Sequence, residues 1–233
     1  MQFGYDLTIW ENEKVKFPIR LPQDKWINGM FVGASGSGKS TELLYVIASI
    51  DEPCDIMFFD FKGEYPELQH CENYRSGDEV ITGLEEYYAE FQRIRRKEVV
   101  QQRQRLCIIE EYPAVVQYAG KSAIRTNVQE MLMLGRGVGK GNGTWIVAQR
   151  PDSALFPGGA KLNMHFIVAM GFMNQVDWSV CFPGTESPMR NFQTGQGMIW
   201  ADGKGEARPL IVPYIRDKQL LLRKVKNHLN GIW

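Results

Sequence analysis

Residues Gly33 to Ser40 read G-A-S-G-S-G-K-S, between a short, mostly apolar run (Ile27 to Val32) and a segment with helical patterning. This strand–loop–helix unit restricts the fold more than anything else in the 233-residue chain. Gly33, Gly36 and Gly38 let the backbone curl into a nest of inward-pointing N–H groups that a Cβ would obstruct. Lys39 supplies a cation for the β- and γ-phosphates and Ser40 a hydroxyl for Mg²⁺, while the following helix turns the positive end of its dipole toward the same place. The implied ligand is ATP with Mg²⁺. The candidate binding set is Gly33, Ala34, Ser35, Gly36, Ser37, Gly38, Lys39, Ser40 and Thr41.

Apolar runs then alternate with helical stretches. Asp55 to Phe61, Leu106 to Ile109, Thr144 to Ala148 and His165 to Met170 read as strands; continuous apolar runs separated by helices indicate a mostly parallel sheet covered on both faces. Val80, Leu84, Tyr87, Phe91 and Ile94 recur at steps of three and four, the stripe of an amphipathic helix that Asp78 is placed to cap. Ser122 to Leu134 reads as another helix. Gly197 to Trp200 and Ala207 to Val212 flank D-G-K-G (Asp202 to Gly205), a hairpin signal at the C-terminal edge of the sheet. A last helix is expected over about 217–229. With no internal repeat or linker, residues 1–233 read as a single α/β domain, its core at about 27–212 and a C-terminal helix in 213–233.

Composition excludes several classes. Lys plus Arg equal Asp plus Glu, so the net charge is zero and any contact with a polyanion must be local. No run approaches the eighteen or more apolar residues of a membrane span, and the charged N-terminus does not read as a signal peptide, so a cytoplasmic setting is expected. Cys54, Cys71, Cys107 and Cys181 have no C-x-x-C spacing and read as buried reduced thiols.

Two further signals specify chemistry. In L-C-I-I-E-E (Leu106 to Glu111) an apolar strand ends in adjacent carboxylates: Glu110 for the metal, Glu111 to orient and deprotonate an attacking water. Glu110 stands where Asp is more usual. T-W-I-V-A-Q-R-P (Thr144 to Pro151) delivers Gln149 to a strand's carboxyl end, where ligands of open parallel sheets bind and an amide can sense the γ-phosphate or the water.

The ordered set G-A-S-G-S-G-K-S, D-F-K-G-E (Asp60 to Glu64), I-I-E-E-Y and A-Q-R-P-D resembles the FtsK/HerA class of RecA-like P-loop DNA motors, from about Ile27 to Trp200. The resemblance implies a RecA-like fold of the ASCE type and a ring, usually hexameric, that moves double-stranded DNA with ATP. It also implies that each nucleotide lies between subunits, within reach of a neighbour's arginine. Arg136, in G-R-G-V-G-K-G, is the candidate finger, with Arg150 and Lys140 as competitors. It places a pore loop at Tyr112 to Arg125, which offers Lys121 and Arg125 to DNA.

R-I-R-R-K (Arg93 to Lys97), followed by Arg103 and Arg105, is the densest positive segment, with Arg95 and Arg96 as candidate phosphate contacts. A solvated helix face accounts for such a run more often. Arg223, Lys224 and Lys226 allow a docking contact, although a solvated face is again the commoner cause. Among settings, packaging of a viral genome is favoured over plasmid or mobile-element transfer or partition. A capsid or membrane docking partner, and a place at a virion's packaging vertex, go with that reading. The competing function is a nucleotide-gated assembly or morphogenesis protein that moves no DNA. A P-loop kinase is disfavoured, since tandem glutamates suit activation of water.

Overall fold

The structure is a computed structural model that describes residues 1–23, 28–120, 122–152, 162–188, 190–201 and 205–233. Its sheet has ten strands in the order β2-β1-β10-β9-β8-β3-β7-β6-β4-β5. They are β1 (Gln2–Asp6), β2 (Pro18–Arg20), β3 (Gly29–Gly33), β4 (Cys54–Asp60), β5 (Tyr74–Ser76), β6 (Gln104–Glu110), β7 (Asn142–Ala148), β8 (Phe166–Met170), β9 (Gln196–Ala201) and β10 (Arg208–Ile211). From β8 through β5 all neighbours are parallel, whereas β9, β10, β1 and β2 add an antiparallel flank. The expected hairpin is the β9–β10 pair within that flank, and β1 and β2 extend the sheet beyond it. Its tip, residues 202–204, lies outside the described residues, as does Ile27.

The central strands are apolar throughout because helices cover both faces. Phe31, Phe58, Ile108, Val147 and Val168 point to one side, where they pack with α2 (Lys39–Ala48) and α7 (Lys218–Leu229). Met30, Val32, Phe59, Ile109 and Ile146 point to the other, beneath α3 (Glu79–Arg95) and α5 (Ser122–Leu134). The stripe expected on α3, Val80 to Ile94, is buried as its spacing requires. Short helices α1 (Leu7–Glu13), α4 (Tyr112–Tyr118) and α6 (Gln175–Cys181) complete the chain. All four cysteines are buried and outside any disulfide. Among the described residues no helix is long and apolar enough to cross a membrane.

Asp78 departs from expectation. It sits at the N-cap of α3 but with helical backbone angles and without a capping bond. Its Oδ1 instead accepts from the Tyr118 hydroxyl at 2.8 Å, a tertiary contact that helical periodicity does not encode. Asp217 does cap α7, accepting from Leu220 N at 2.8 Å.

Glu42, in the first turn of α2, is fully buried, and neither carboxyl oxygen has a hydrogen-bond partner. Burial alone pushes its carboxyl well above the usual range. A carboxyl whose pKa is raised by folding destabilises the fold progressively as pH climbs from about 4.5, its unfolded value, toward the folded one. Glu42→Met, of similar volume and without the unpaired oxygens, is expected to stabilise the chain by about 1–3 kcal/mol. For a chain of this size that is a rise in Tm of roughly 2–10 °C. The gain should be larger at pH 8 than at pH 5 in thermal melts; equal gains would mean that the carboxyl does not titrate in this way.

Candidate functional site

The phosphate loop leaves β3 between two strands whose registers fix its position. Val32 pairs with Ala148 of β7, and Gly33 with Met170 of β8. A Cβ on Gly33 would lie 2.6 Å from the Met170 carbonyl oxygen, too close for any other residue. Gly38 has φ 97°, and its Cβ would fall 2.8 Å from Gly195 N. That near contact comes from a brace that sequence reading missed. Gly195 N donates to Ser37 O at 2.9 Å, and Thr194 Oγ1 donates to Gly36 O at 3.1 Å. No local signal marks Thr194 or Gly195, because their role depends on the packing of the strand that follows α6. Ala34, Ser35 and Gly36 face solvent, and Thr41 is exposed one residue past Ser40. Helix α2 starts at Lys39, so its first-turn N–H groups and positive dipole end face the loop.

Beside Gly38 and Thr41 opens a groove of about 1240 Å³ between α2, α7 and the stretch after β10. Tyr45 and Tyr214 contribute to its walls, with Lys16, Arg216 and Lys224. It is large enough for the nucleoside end of a ligand whose phosphates occupy the loop.

The two carboxylates that end β6 have different surroundings. Glu110 is 1% exposed, and its Oε1 lies 3.4 Å from the Lys39 ammonium, itself 8% exposed. Burial pushes the Glu110 carboxyl up to about 7, Lys39 opposes that shift, and Glu64 and Asp60 add to it. Its other oxygen, Oε2, has no partner. Glu111 adopts a left-handed backbone, φ 53° and ψ 47°, uncommon for a residue with a side chain. Its Oε2 pairs with Lys62 Nζ at 3.2 Å.

Lys62 belongs to D-F-K-G-E, which sequence reading used for resemblance and left without individual roles. The structure separates them. Asp60, fully buried and paired in register with Glu110, accepts from Gly63 N at 2.9 Å, Tyr65 N at 3.0 Å and Tyr74 Oη at 2.5 Å. It is the anchor of the turn. That turn presents Lys62 to Glu111 and carries Glu64 close enough to Glu110 to raise its pKa.

Gln149 directly follows Ala148, the residue paired with Val32, so it emerges beside the start of the phosphate loop. Lys39, Ser40, Glu110, Glu111 and Gln149 therefore converge at the carboxyl ends of β3, β6 and β7. Arg136 does not join them. It lies in the turn between α5 and β7, at the amino ends of the strands, exposed and on the far side of the sheet from its own phosphate loop. Its position puts it out of reach of the phosphate loop of its own chain. Arg150 is exposed just past Gln149, and Lys140 shares the end of Arg136.

The candidate DNA contacts also divide between the two ends of the sheet. Arg125 is half-buried in the first turns of α5, near Tyr112. Lys121 lies outside the described residues. Arg95 and Arg96 close α3 at the opposite end; Arg95 is paired with Glu130, and Arg96 is exposed, 3.9 Å from Glu98. Arg105 is buried against Glu90 and over the Tyr87 ring, which removes it from the basic surface.

Ser40 and Glu110 offer oxygen ligands, and the unpartnered Glu110 Oε2 fits a hard cation such as Mg²⁺. Among the described residues no group of three or more His, Cys, Asp or Glu side chains is gathered to hold a metal. Phosphate oxygens and water would complete the shell, the usual arrangement for Mg²⁺ with a nucleotide.

No family model and no curated protein matches the chain. Solved structures do. The pCW3 conjugation coupling protein TcpA, in its monomer form with ATPγS, has a TM-score of 0.69 at 17% identity, covering 96% of this chain and 73% of that one. Thermomonospora curvata EccC (ATPases 2 and 3), in complex with a signal sequence peptide, has a TM-score of 0.67 at 15% identity, covering 93% and 41%. The genome packaging NTPase B204 from Sulfolobus turreted icosahedral virus 2, in complex with ATPγS, has a TM-score of 0.55 at 14% identity, covering 83% and 100%. At these identities the likeness establishes the fold alone, a mostly parallel RecA-like α/β sheet. The chain spans less than half of the EccC chain.

Proposed function

We propose that the chain is an ATPase whose turnover drives movement of double-stranded DNA through an oligomeric ring. The observation that carries the reading is the convergence of the buried Lys39–Glu110 pair with Glu111 and Gln149 at the carboxyl end of one sheet. A phosphate loop alone accounts for binding; a carboxylate beside the loop and an amide on the next strand account for hydrolysis.

In this reading the loop N–H groups and Lys39 hold the phosphates, and Ser40 and Glu110 hold Mg²⁺. Bound Mg²⁺ would neutralise charge that builds on the phosphates. Glu111 orients the attacking water and takes its proton, and Gln149 senses the γ-phosphate. Arg136, reaching a neighbour's site across the ring, is the candidate finger that stabilises charge on the neighbour's nucleotide, with Arg150 and Lys140 as competitors. Arg125 and Lys121 line the DNA path, with Arg95 and Arg96 as weaker candidates because Arg95 is already paired.

Packaging of a viral genome is the setting we favour, the role of the genome packaging NTPase B204. Conjugative transfer is the second setting, favoured by the TM-score of 0.69 to a coupling protein.

The test is ATP turnover by the assembled protein with and without linear double-stranded DNA. Stimulation by DNA is expected, and Arg125→Ala should weaken DNA binding and lower its salt slope by about one. Turnover indifferent to DNA would overturn the motor reading and favour a nucleotide-gated assembly protein. Unchanged DNA affinity in Arg125→Ala would remove that residue from the path.

A further inference from the structure

Besides the two Glu42 oxygens, three buried polar atoms around the phosphate loop have no well-formed hydrogen bond: Ser37 Oγ, Glu110 Oε2 and Tyr65 Oη. Buried polar groups are nearly always partnered, so several orphans in one place mark where a polar ligand belongs. Ser37 and Glu110 already belong to the site. Tyr65 has no assigned role.

The chain holds Tyr65 firmly. Its ring packs edge-on against Phe58 with centroids 5.2 Å apart, its backbone N–H donates to Asp60 Oδ2, and the residue is 4% exposed. Asp60 is in register with Glu110 on the neighbouring strand, so the turn that starts at Asp60 returns Tyr65 to the metal side of the site. There its hydroxyl lies beside the Ser40 side chain and within the field of Glu110, and it makes no well-formed hydrogen bond. Tyr74 provides the contrast, because its hydroxyl also lies beside this turn but donates to Asp60.

We propose that Tyr65 is a positioning residue for the metal–nucleotide complex: its hydroxyl oxygen accepts a hydrogen bond from a water on the cation that Ser40 and Glu110 would hold. The proposal rests on the nucleotide-binding reading above. It makes Tyr65 matter for Mg²⁺-dependent affinity and not for affinity as such.

The experiment measures the Kd of a fluorescent, non-hydrolysable ATP analogue for the full chain in excess Mg²⁺ and in EDTA. Tyr65→Phe keeps the ring against Phe58 and removes only the hydroxyl. It should bind as the unaltered chain does in EDTA and about 2- to 10-fold more weakly in Mg²⁺, the range for one hydrogen bond between neutral groups. Tyr74→Phe, which strips the hydroxyl that serves Asp60, should leave the Mg²⁺-to-EDTA ratio unchanged and so controls for loosening of the turn. An unchanged ratio in Tyr65→Phe, equal weakening in both solutions, or the same ratio change in Tyr74→Phe overturns the proposal. If the unaltered chain binds the analogue in neither solution, the nucleotide reading itself fails; if it binds equally in both, only the role of Tyr65 fails.

Discussion

Glu111→Gln is expected to bind ATP as tightly as the unaltered chain and to hydrolyse it about 10²- to 10⁴-fold more slowly, the range for loss of a general base. The amide keeps the size of the side chain and cannot accept the proton of the attacking water. Lys62, 3.2 Å away, loses its counter-ion, but the pair is only partly buried, so little stability should go with it. Glu111→Gly separates the two demands made on this position. Its backbone at φ 53° suits glycine better than glutamate, at a difference of roughly 1 kcal/mol. Glycine should therefore hold the fold at least as well while abolishing turnover. A strained residue conserving geometry for packing alone would show the opposite, a change in stability with turnover intact. Phosphate release, analogue binding and a thermal melt on the two variants decide the matter, and turnover near that of the unaltered chain would remove Glu111 from the base role.

Lys39→Met carries the second large effect. Affinity for ATP should fall sharply, because the cation facing the phosphates is gone, and the nucleotide-free protein should become less stable in a pH-dependent way. Glu110 is pushed up to about 7 in the fold against 4.5 as its reference, with Lys39 holding it down. A raised carboxyl pKa means that stability is lost as pH rises from 4.5 toward the folded value. Without Lys39 that value moves higher and the window of loss extends above 7. Breaking a buried pair costs about 3–5 kcal/mol when the remaining charge persists, and less when it can take up a proton. For a chain of this size, Tm should drop by up to roughly 10–20 °C at pH 8 and by clearly less at pH 5. Adding Glu110→Gln should recover most of the lost stability without recovering ATP binding. A pH-independent loss would show that Lys39 acts in the fold by packing and not through Glu110.

Much of the site was legible because its signals are local. Glycines at 33, 36 and 38 with Lys39 and Ser40 describe a loop whose geometry depends on short-range sterics. Glu110 and Glu111 end an apolar run, and in a parallel sheet a strand's end is the site's edge. The strands themselves were legible for a similar reason: a segment covered on both faces must be apolar throughout. The flank was not. β1 joins β10 across some two hundred residues and carries β2 with it, and pairing at that separation is selected by register and by what the turns allow, which no local pattern records.

The polar partners were hidden for the same cause. Asp78 has the composition of a cap and the contact of a tertiary anchor, since Tyr118 reaches it first. Arg105 stands in a basic run and is buried against Glu90, because β6 turns it inward. Arg136 precedes the sensor strand in sequence and lies at the far end of that strand in space.

By itself the sequence determined that this chain forms a parallel α/β sheet with a phosphate loop, and that carboxylates and an amide follow at strand ends. Period, apolarity and glycine placement are properties of neighbouring residues and survive being read in one dimension. The tertiary structure alone decided that Lys39 faces Glu110, that Lys62 faces Glu111, that Thr194 and Gly195 brace the loop, and that the buried Tyr65 hydroxyl lies beside Ser40. Each of these joins residues far apart in the chain, and only the register of adjacent strands brings their side chains within a few ångströms of one another.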